Sequence, residues 1–291
     1  MVKQERTLLQ ICNVSRETLG KEWKAMGYKD IKRSNPSKPS QIIAIINQKG
    51  GVGKSTTAIN LSAALGEEGK KCLVIDFDPQ GNTSSGYGID KEELENDIYN
   101  ALMDGIALSE LICDTPEKKV FVVPATIQLA GAEIELVSKI ARETILKSLI
   151  DEVRDEFDYI FIDCPPSLGL LTINALSAAD GLLIPIQCEY YALEGVTKLL
   201  ESMKLVKSSL NRDLDVFGVL MTMYDKRTTL SNQVVEEVRK YFGKKMFKTV
   251  IPRSVKVSEA PSHGLPIAMY SPTNKGAIAY RGLAREVIRR G

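Results

Sequence analysis

In Ile42-Ile43-Ala44-Ile45-Ile46-Asn47-Gln48-Lys49-Gly50-Gly51-Val52-Gly53-Lys54-Ser55-Thr56-Thr57, an unbroken β-branched run leads into a glycine-rich turn, and a helix-forming segment follows. The run lacks the alternation of a half-solvated strand, which suits a parallel strand covered on both faces. Glycines in the turn let backbone N–H groups converge on an anion, and the N-terminus of the next helix adds partial positive charge. In such a loop Lys54 reaches the β/γ-phosphates of a nucleotide and Ser55 ligates Mg2+. A surface turn with incidental lysines is the plain alternative, and the strand-turn-helix context argues against it.

Comparable apolar runs recur at residues 72–77, 120–123, 159–162, 182–186 and 216–221, and helical periodicity fills 56–65, 144–153, 193–206 and 233–241. Strand and helix alternating in this way imply βαβ crossovers. The expected fold class is α/β: a P-loop NTPase-like, predominantly parallel twisted sheet with helices on both faces, plus a short helical N-terminal extension. Residues 32–40 are polar, carry Pro36 and Pro39, and read as a linker between the extension (1–31) and the main domain (41–291). In the extension, Leu8, Leu9 and Ile11 suggest a short helix and Asn13-Val14 a turn. Ser15 then caps a second helix with Leu19, Trp23 and Met26 on its inner face, a pattern like a helix-turn-helix. So small a pair buries little surface alone. It docks on the main domain, pairs with another subunit or belongs to a larger dimeric unit.

The 291 residues are 44% hydrophobic and 26% charged, an ordinary globular composition. No apolar run reaches the ~18 residues of a membrane span, and the N-terminal sequence lacks an apolar signal core, so a cytoplasmic protein is expected. The five cysteines (Cys12, Cys72, Cys113, Cys164, Cys188) lie far apart without metal-ligand spacing. His263 is the only histidine, which excludes a multi-histidine metal site and leaves one candidate for any Ser-His-Asp triad. A net charge of +1 conceals strong segregation. Residues 1–40 carry 9 basic and 4 acidic side chains, 41–197 carry 11 and 25, 198–256 carry 13 and 6, and 257–291 carry 5 and 2. Basic flanks around an acidic middle fit either a polyanion partner or a solvated charged surface.

Two further motifs place carboxylates at expected strand ends: Asp76-Phe77-Asp78-Pro79-Gln80-Gly81-Asn82 and Asp163-Cys164-Pro165-Pro166-Ser167. The C-terminal ends of parallel strands open onto the crevice where α/β sheets bind ligands, although either aspartate alone also reads as a helix cap. The loop itself departs from the ordinary G-x-x-x-x-G-K-[ST] pattern, because Gln48 holds the first glycine position and a second lysine, Lys49, heads the loop. It resembles the deviant Walker A box of the ParA/MinD/nitrogenase iron protein superfamily. That resemblance implies that Lys49 reaches the partner subunit's nucleotide, coupling ATP binding to homodimerisation. It implies an ATP site made by Lys49, Gly50, Gly51, Val52, Gly53, Lys54, Ser55 and Thr56, and catalysis by Lys49, Lys54 and Asp78. Asp78 matches the switch I aspartate that positions the attacking water. Ser55, Asp76 and Asp163 would surround Mg2+, with Asp163 as the Walker B group. Phosphoryl transfer to water needs positioning and charge neutralisation more than covalent chemistry, and a site without a dedicated strong base is expected to turn over slowly.

The stretches at residues 185–195, 221–228 and 251–261 look very like ParA/Soj proteins, and the likeness covers residues 41–290. It implies an ATPase of plasmid or chromosome partitioning, nucleoid-associated. Such a protein dimerises with ATP, binds double-stranded DNA without sequence preference, and is released when a ParB-like centromere-binding protein stimulates hydrolysis. By the same likeness Pro252 lies near the adenine, while Arg227 and Lys256 contact DNA. Charge supports this independently: residues 239–256 hold seven basic side chains, Lys248 among them, and no acidic one. Such a run either meets phosphate or lies solvated. Arg281 and Arg285, four residues apart on one face of the last helix, complete the candidate DNA contacts. The alternative is a MinD-like membrane-surface positioning ATPase. Residues 276–291 match its amphipathic helix poorly, so no membrane partner is expected. A metallocluster carrier is the second alternative, and the scattered cysteines disfavour it.

Overall fold

The strands β1 (Gln41–Ile45), β2 (Cys72–Asp76), β3 (Cys113–Asp114), β4 (Val120–Val123), β5 (Tyr159–Asp163), β6 (Gly181–Gln187), β7 (Asp215–Tyr224) and β8 (Met246–Pro252) form one sheet in the order β3-β4-β2-β5-β1-β6-β7-β8. All pairs are parallel except the short β3–β4 ladder. The computed structural model describes residues 28–189 and 192–291. The expected helix pair at residues 5–28 lies outside them apart from Tyr28, as do Cys12, Tyr190 and Tyr191.

The helices are α1 (Lys54–Glu67), α2 (Asn82–Gly86), α3 (Ile98–Asp104), α4 (Leu129–Glu135), α5 (Ile145–Asp151), α6 (Leu170–Ala178), α7 (Glu194–Ser209), α8 (Thr229–Phe242), α9 (Val255–Glu259), α10 (Ile267–Tyr270) and α11 (Lys275–Arg290). Alternate residues of one strand serve opposite cores. Ile42 and Ala44 of β1 join Leu102, Leu129, Leu149, Leu176 and Val238 from α3 to α8, whereas Ile43 and Ile45 join Leu61, Leu65, Leu283 and Val287 from α1 and α11. This is why the strand runs are apolar throughout: both faces are covered, as expected of a parallel sheet.

Strands read from the sequence agree with the structure to within a few residues, but β3 and β8 were not foreseen. β8 is an edge strand hidden in the basic run, with Lys248 exposed. Where its register with β7 breaks, Glu286 of α11 accepts from the amides of Lys248 and Thr249 (both 2.9 Å).

The stretch read as a linker is fastened to the sheet by Asp158, just ahead of β5. Its carboxylate accepts from the amides of Ser34 (3.0 Å), Asn35 (3.4 Å) and Lys71 (2.8 Å), with the Arg33 guanidinium 3.8 Å away. Burial pushes this carboxyl up, but the backbone donors outweigh it and hold the pKa below the ordinary 3.8. Tyr28 stacks on Phe157 (6.0 Å between centroids) and meets Phe121 edge-on, and the ammonium of Lys71 lies over the Phe157 ring at 4.8 Å. Burial lowers the Lys71 pKa. Replacing Asp158 with alanine strips three amides of their acceptor and is expected to cost about 2–4 kcal/mol at pH 7. Because the folded pKa is depressed, the stabilisation is complete above the unfolded value and lost as pH falls through the folded one. Chemical unfolding of Asp158→Ala at pH 7 and at pH 3 should therefore show a gap from wild type that narrows in acid.

Candidate nucleotide-binding site

Two residues past β1, the Asn47 side-chain amide donates to the Pro185 carbonyl (2.7 Å) while its Oδ1 accepts from the Lys49 amide (3.0 Å), so the loop is anchored to β6 before it turns. Gly51 and Gly53 take φ of 74° and 94°, a left-handed backbone that side chains disfavour. Thr222 of β7 donates to the Val52 carbonyl (2.8 Å) from the other side. α1 starts at Lys54 with no side-chain cap, so its first N–H groups face the cleft without competition. The cleft holds about 570 Å3 and is lined by Gly50, Gly51, Gly53, Lys54, Ser55 and Thr56 on one side, and Asp78, Gln80, Pro166, Met223 and Ser262 on the other. Lys54 is buried at its floor.

Asp76 and Asp163 are register partners at the ends of β2 and β5, and both are fully buried. Asp76 Oδ2 accepts from the amide (2.8 Å) and hydroxyl (2.7 Å) of Ser84, and Asp163 Oδ2 from the Thr83 hydroxyl (2.7 Å). Burial, followed by the negative charge of Asp163, raises the Asp76 pKa. Burial also raises that of Asp163, against the pull of the nearby Ser55 and Thr83 hydroxyls and the charge of Lys54. Asp163 Oδ1 is buried and has no hydrogen-bond partner. An unpartnered anionic acceptor beside a serine hydroxyl and a lysine suits a hydrated magnesium ion, whose charge would favour both ionised carboxylates. Asp78 lies beyond them, its Oδ1 accepting from the Gln80 amide (3.0 Å).

The expected DNA contacts divide into three groups. Arg227, at the turn after β7, is exposed and paired in bidentate fashion with Asp225 (2.6 and 2.9 Å). The Arg253 amide donates to the Tyr224 carbonyl (3.0 Å), bringing Arg253 and, in the adjoining α9, Lys256 to the same end of the sheet; the Lys256 ammonium lies over the Tyr270 ring at 5.5 Å. Lys248 sits further back on the edge strand. Arg281 and Arg285 instead clasp Glu67 (2.7 Å) and Glu68 (2.8 Å) at the end of α1, stapling α11 to it. Pro252 closes β8 opposite Tyr224, outside the lining of the cleft. His263 stacks on Tyr270 (4.8 Å) and has no part in the cleft.

Several site residues were not foreseen. Ser84 and Thr83 meet the two aspartates only because α2 folds back beneath the loop, which no local spacing reveals. Met223, at the mouth, has φ of 52°, a conformation that costs a non-glycine residue about 1–3 kcal/mol and clusters at functional sites. Glu189 pairs with the Lys49 ammonium. Only the CEYY motif that contains Glu189 could have drawn attention to it.

A strand, a glycine loop, a buried lysine and paired carboxylates around one cleft define a P-loop nucleotide hydrolase. The chain matches the family described as AAA domain over residues 40–216. It is 57% identical over 251 residues to the sporulation initiation inhibitor protein Soj of Bacillus subtilis, covering 86% of this chain and 99% of that protein. It is 51% identical over 250 residues to the chromosome partitioning protein ParA of Myxococcus xanthus, covering 86% and 88%. Among solved structures it resembles cobyrinic acid a,c-diamide synthase from Mycobacterium smegmatis with bound ADP and magnesium, at 37% identity and a TM-score of 0.76 over 86% of this chain and 94% of that one. The chain belongs to the ParA/Soj family of ATPases, within the ParA/MinD superfamily, and its reaction is hydrolysis of ATP to ADP and phosphate.

Gly81 links the carboxylate loop to α2 at φ of 60°, and a Cβ there would stand 2.5 Å from the Ala125 carbonyl oxygen. Gly81→Ala must displace the loop carrying Asp78. Turnover is expected to fall about 10- to 100-fold, since small misplacements of reacting groups cost that much. ATP affinity, set by the loop after β1, should change by less than about threefold. Steady-state hydrolysis alongside equilibrium nucleotide titration separates the two.

Proposed function

We propose that this chain is a DNA-partitioning ATPase that dimerises on ATP, holds double-stranded DNA without reading its sequence in that state, and lets go when a ParB-like partner stimulates hydrolysis. The observation that carries the reading is the placement of Lys49. Its ammonium points away from the cleft floor occupied by Lys54 and is held at the surface by Glu189. An exposed ion pair of this kind contributes little, so the phosphates of a second subunit's nucleotide can replace Glu189. ATP then acts as the bridge between subunits.

Within each subunit the loop amides and Lys54 would hold the phosphates, and Ser55 with Asp163 would hold the metal. Bound Mg2+ would neutralise charge on the β- and γ-oxygens. Asp78 Oδ1 is occupied by the Gln80 amide, which leaves Oδ2 to orient a water in line with the γ-phosphate. No histidine lines the cleft, so water is activated weakly and the intrinsic rate is slow, as suits a timed switch.

Arg227, Arg253 and Lys256 stand at the cleft's end of the sheet, so a dimer formed across the nucleotides doubles this basic surface. Lys248 extends it along β8. Arg281 and Arg285 join it only by exchanging Glu67 and Glu68 for phosphate. The apolar side of α11 (Leu283, Ala284, Val287) is buried in the domain, which argues against the membrane-lying helix of the MinD-like alternative. No helix among the described residues is long and apolar enough to cross a membrane.

Binding to random duplex DNA, measured with ATP, ADP and no nucleotide at two salt concentrations, tests the reading. Wild type should bind with ATP, with a steep salt dependence, and Lys49→Ala should bind in no state. Asp78→Ala should form ATP-dependent dimers that bind DNA but do not turn over. Arg227→Glu and Lys256→Glu should weaken DNA binding at both salts with ATP affinity intact. DNA affinity indifferent to nucleotide would sink the reading while leaving the ATPase standing.

A further inference from the structure

The segment from the turn at Ile127 through α4 to the tighter turn at Leu136–Ser138 carries two apolar stripes where one is needed. Leu129, Ala132 and Leu136 face the core, whereas Ile127, Ala130, Ile134 and Val137, spaced at 0, 3, 7 and 10 from the turn that leads into the helix, face solvent. Ile127 is 68% and Ile134 78% exposed. A helix already seated by one face has no reason to present a second stripe of β-branched side chains to water unless something covers it. Beside the stripe opens a second cavity of about 470 Å3, between Gln80, Lys91, Glu95, Asn100 and Ile127.

The charge around this cavity is strongly one-sided. Residues 90–110 hold seven acidic side chains, Glu92, Glu93 and Glu95 among them, against the single base Lys91. Lys91 is turned inward, donating to the carbonyls of Gln80 (3.1 Å) and Gly81 (3.5 Å), and Lys139 donates to the Met103 carbonyl (2.7 Å). The nearby cations are thus spent on backbone oxygens, and the rim remains anionic. A nucleic acid is repelled by such a surface, whereas a cationic peptide is attracted.

The connection from β4 into α4, and α4 itself, also reach the elements that follow Asp78 and Asp163. The Ala125 amide donates to Ser84 Oγ (3.0 Å), the hydroxyl that donates to Asp76, and the Ala125 carbonyl closes against Gly81. Glu133 Oε2 accepts from the Leu170 amide (2.8 Å) at the head of α6, just past the loop that follows Asp163. Its other oxygen is buried without a partner.

We propose that the outer stripe of α4 and the acidic cavity beside it are the docking surface for a basic segment with aliphatic anchors, belonging to the partner that stimulates hydrolysis. The inference rests on the proposed partitioning function. Docking there presses on Ala125 and Glu133 together and shifts the Asp78 loop and the Asp163 loop in one movement, as packed elements transmit small displacements.

The test uses the full chain with ATP, DNA and the purified ParB-like protein from the same organism. Wild-type turnover should rise with partner. Ile134→Glu and, separately, Glu95→Lys should keep basal turnover but require about tenfold or more partner for half-maximal stimulation, as expected on losing an anchor or reversing a steering charge. A photo-cross-linking side chain at Ile134 should capture a lysine- or arginine-rich segment of the partner. Stimulation unchanged in both variants overturns the docking surface while the partitioning function stands, and so does cross-linking to a second copy or within the same chain. A wild type that no concentration of partner stimulates overturns the functional reading and the docking surface with it.

Discussion

The parallel register of β1, β2 and β5 is the constraint on which the rest depends. It sets Asp76 beside Asp163 at adjacent strand ends and brings the loop after β1 up between them and β6. Two carboxylates buried this closely repel each other, and burial raises both pKa values, so the arrangement is at rest only with a cation nearby or with dedicated donors. The hydroxyls of Thr83 and Ser84 and the amide of Ser84 supply donors, and the unpartnered Oδ1 of Asp163 is of a kind that suits a hydrated cation. Thr83 and Ser84 of α2 are therefore part of the site's electrostatics.

How much of this was legible in the sequence follows from where the determinants lie. The central strands were readable because burial on both faces confines charged and amide side chains to their ends, and the loop because its glycines and lysines act through backbone geometry at fixed spacing. β8 was not, because an edge strand needs only one buried face and its outward positions, such as Lys248, carry the charge that made the segment look like a surface run. Contacts that close the site across long separations, Thr222 to Val52 or Thr83 to Asp163, left no local trace. Nor did the ion pairs that occupy Arg281 and Arg285, since four-residue spacing identifies a helix face but not what that face meets.

The region ahead of β1 shows the same limit from the other side. Prolines and polar residues at 32–40 read as a linker, and composition alone supports nothing more. Yet Asp158 gathers three amides and Arg33 around one carboxylate, and Tyr28 completes an aromatic enclosure around Lys71. Backbone donors need no particular side chain, so a segment can be tightly held while its sequence still looks like a tether.

The segregation of charge along the chain becomes a separation in space through the order of the strands. After β1 the chain winds toward β2, β4 and β3, carrying the acidic middle to one edge. From β5 it returns across β1 to β6, β7 and β8, carrying the basic stretch to the other. The nucleotide cleft opens where these two windings part, as in other doubly wound sheets. On the proposed reading a polyanion is drawn to the β7–β8 side and repelled from the α3–α4 side, and a cationic segment experiences the reverse. In the proposed cycle DNA and the stimulating partner therefore do not compete for surface. Each approaches its own edge of the sheet, and the loops around the phosphates, which contact both halves, are the one place where their effects can meet.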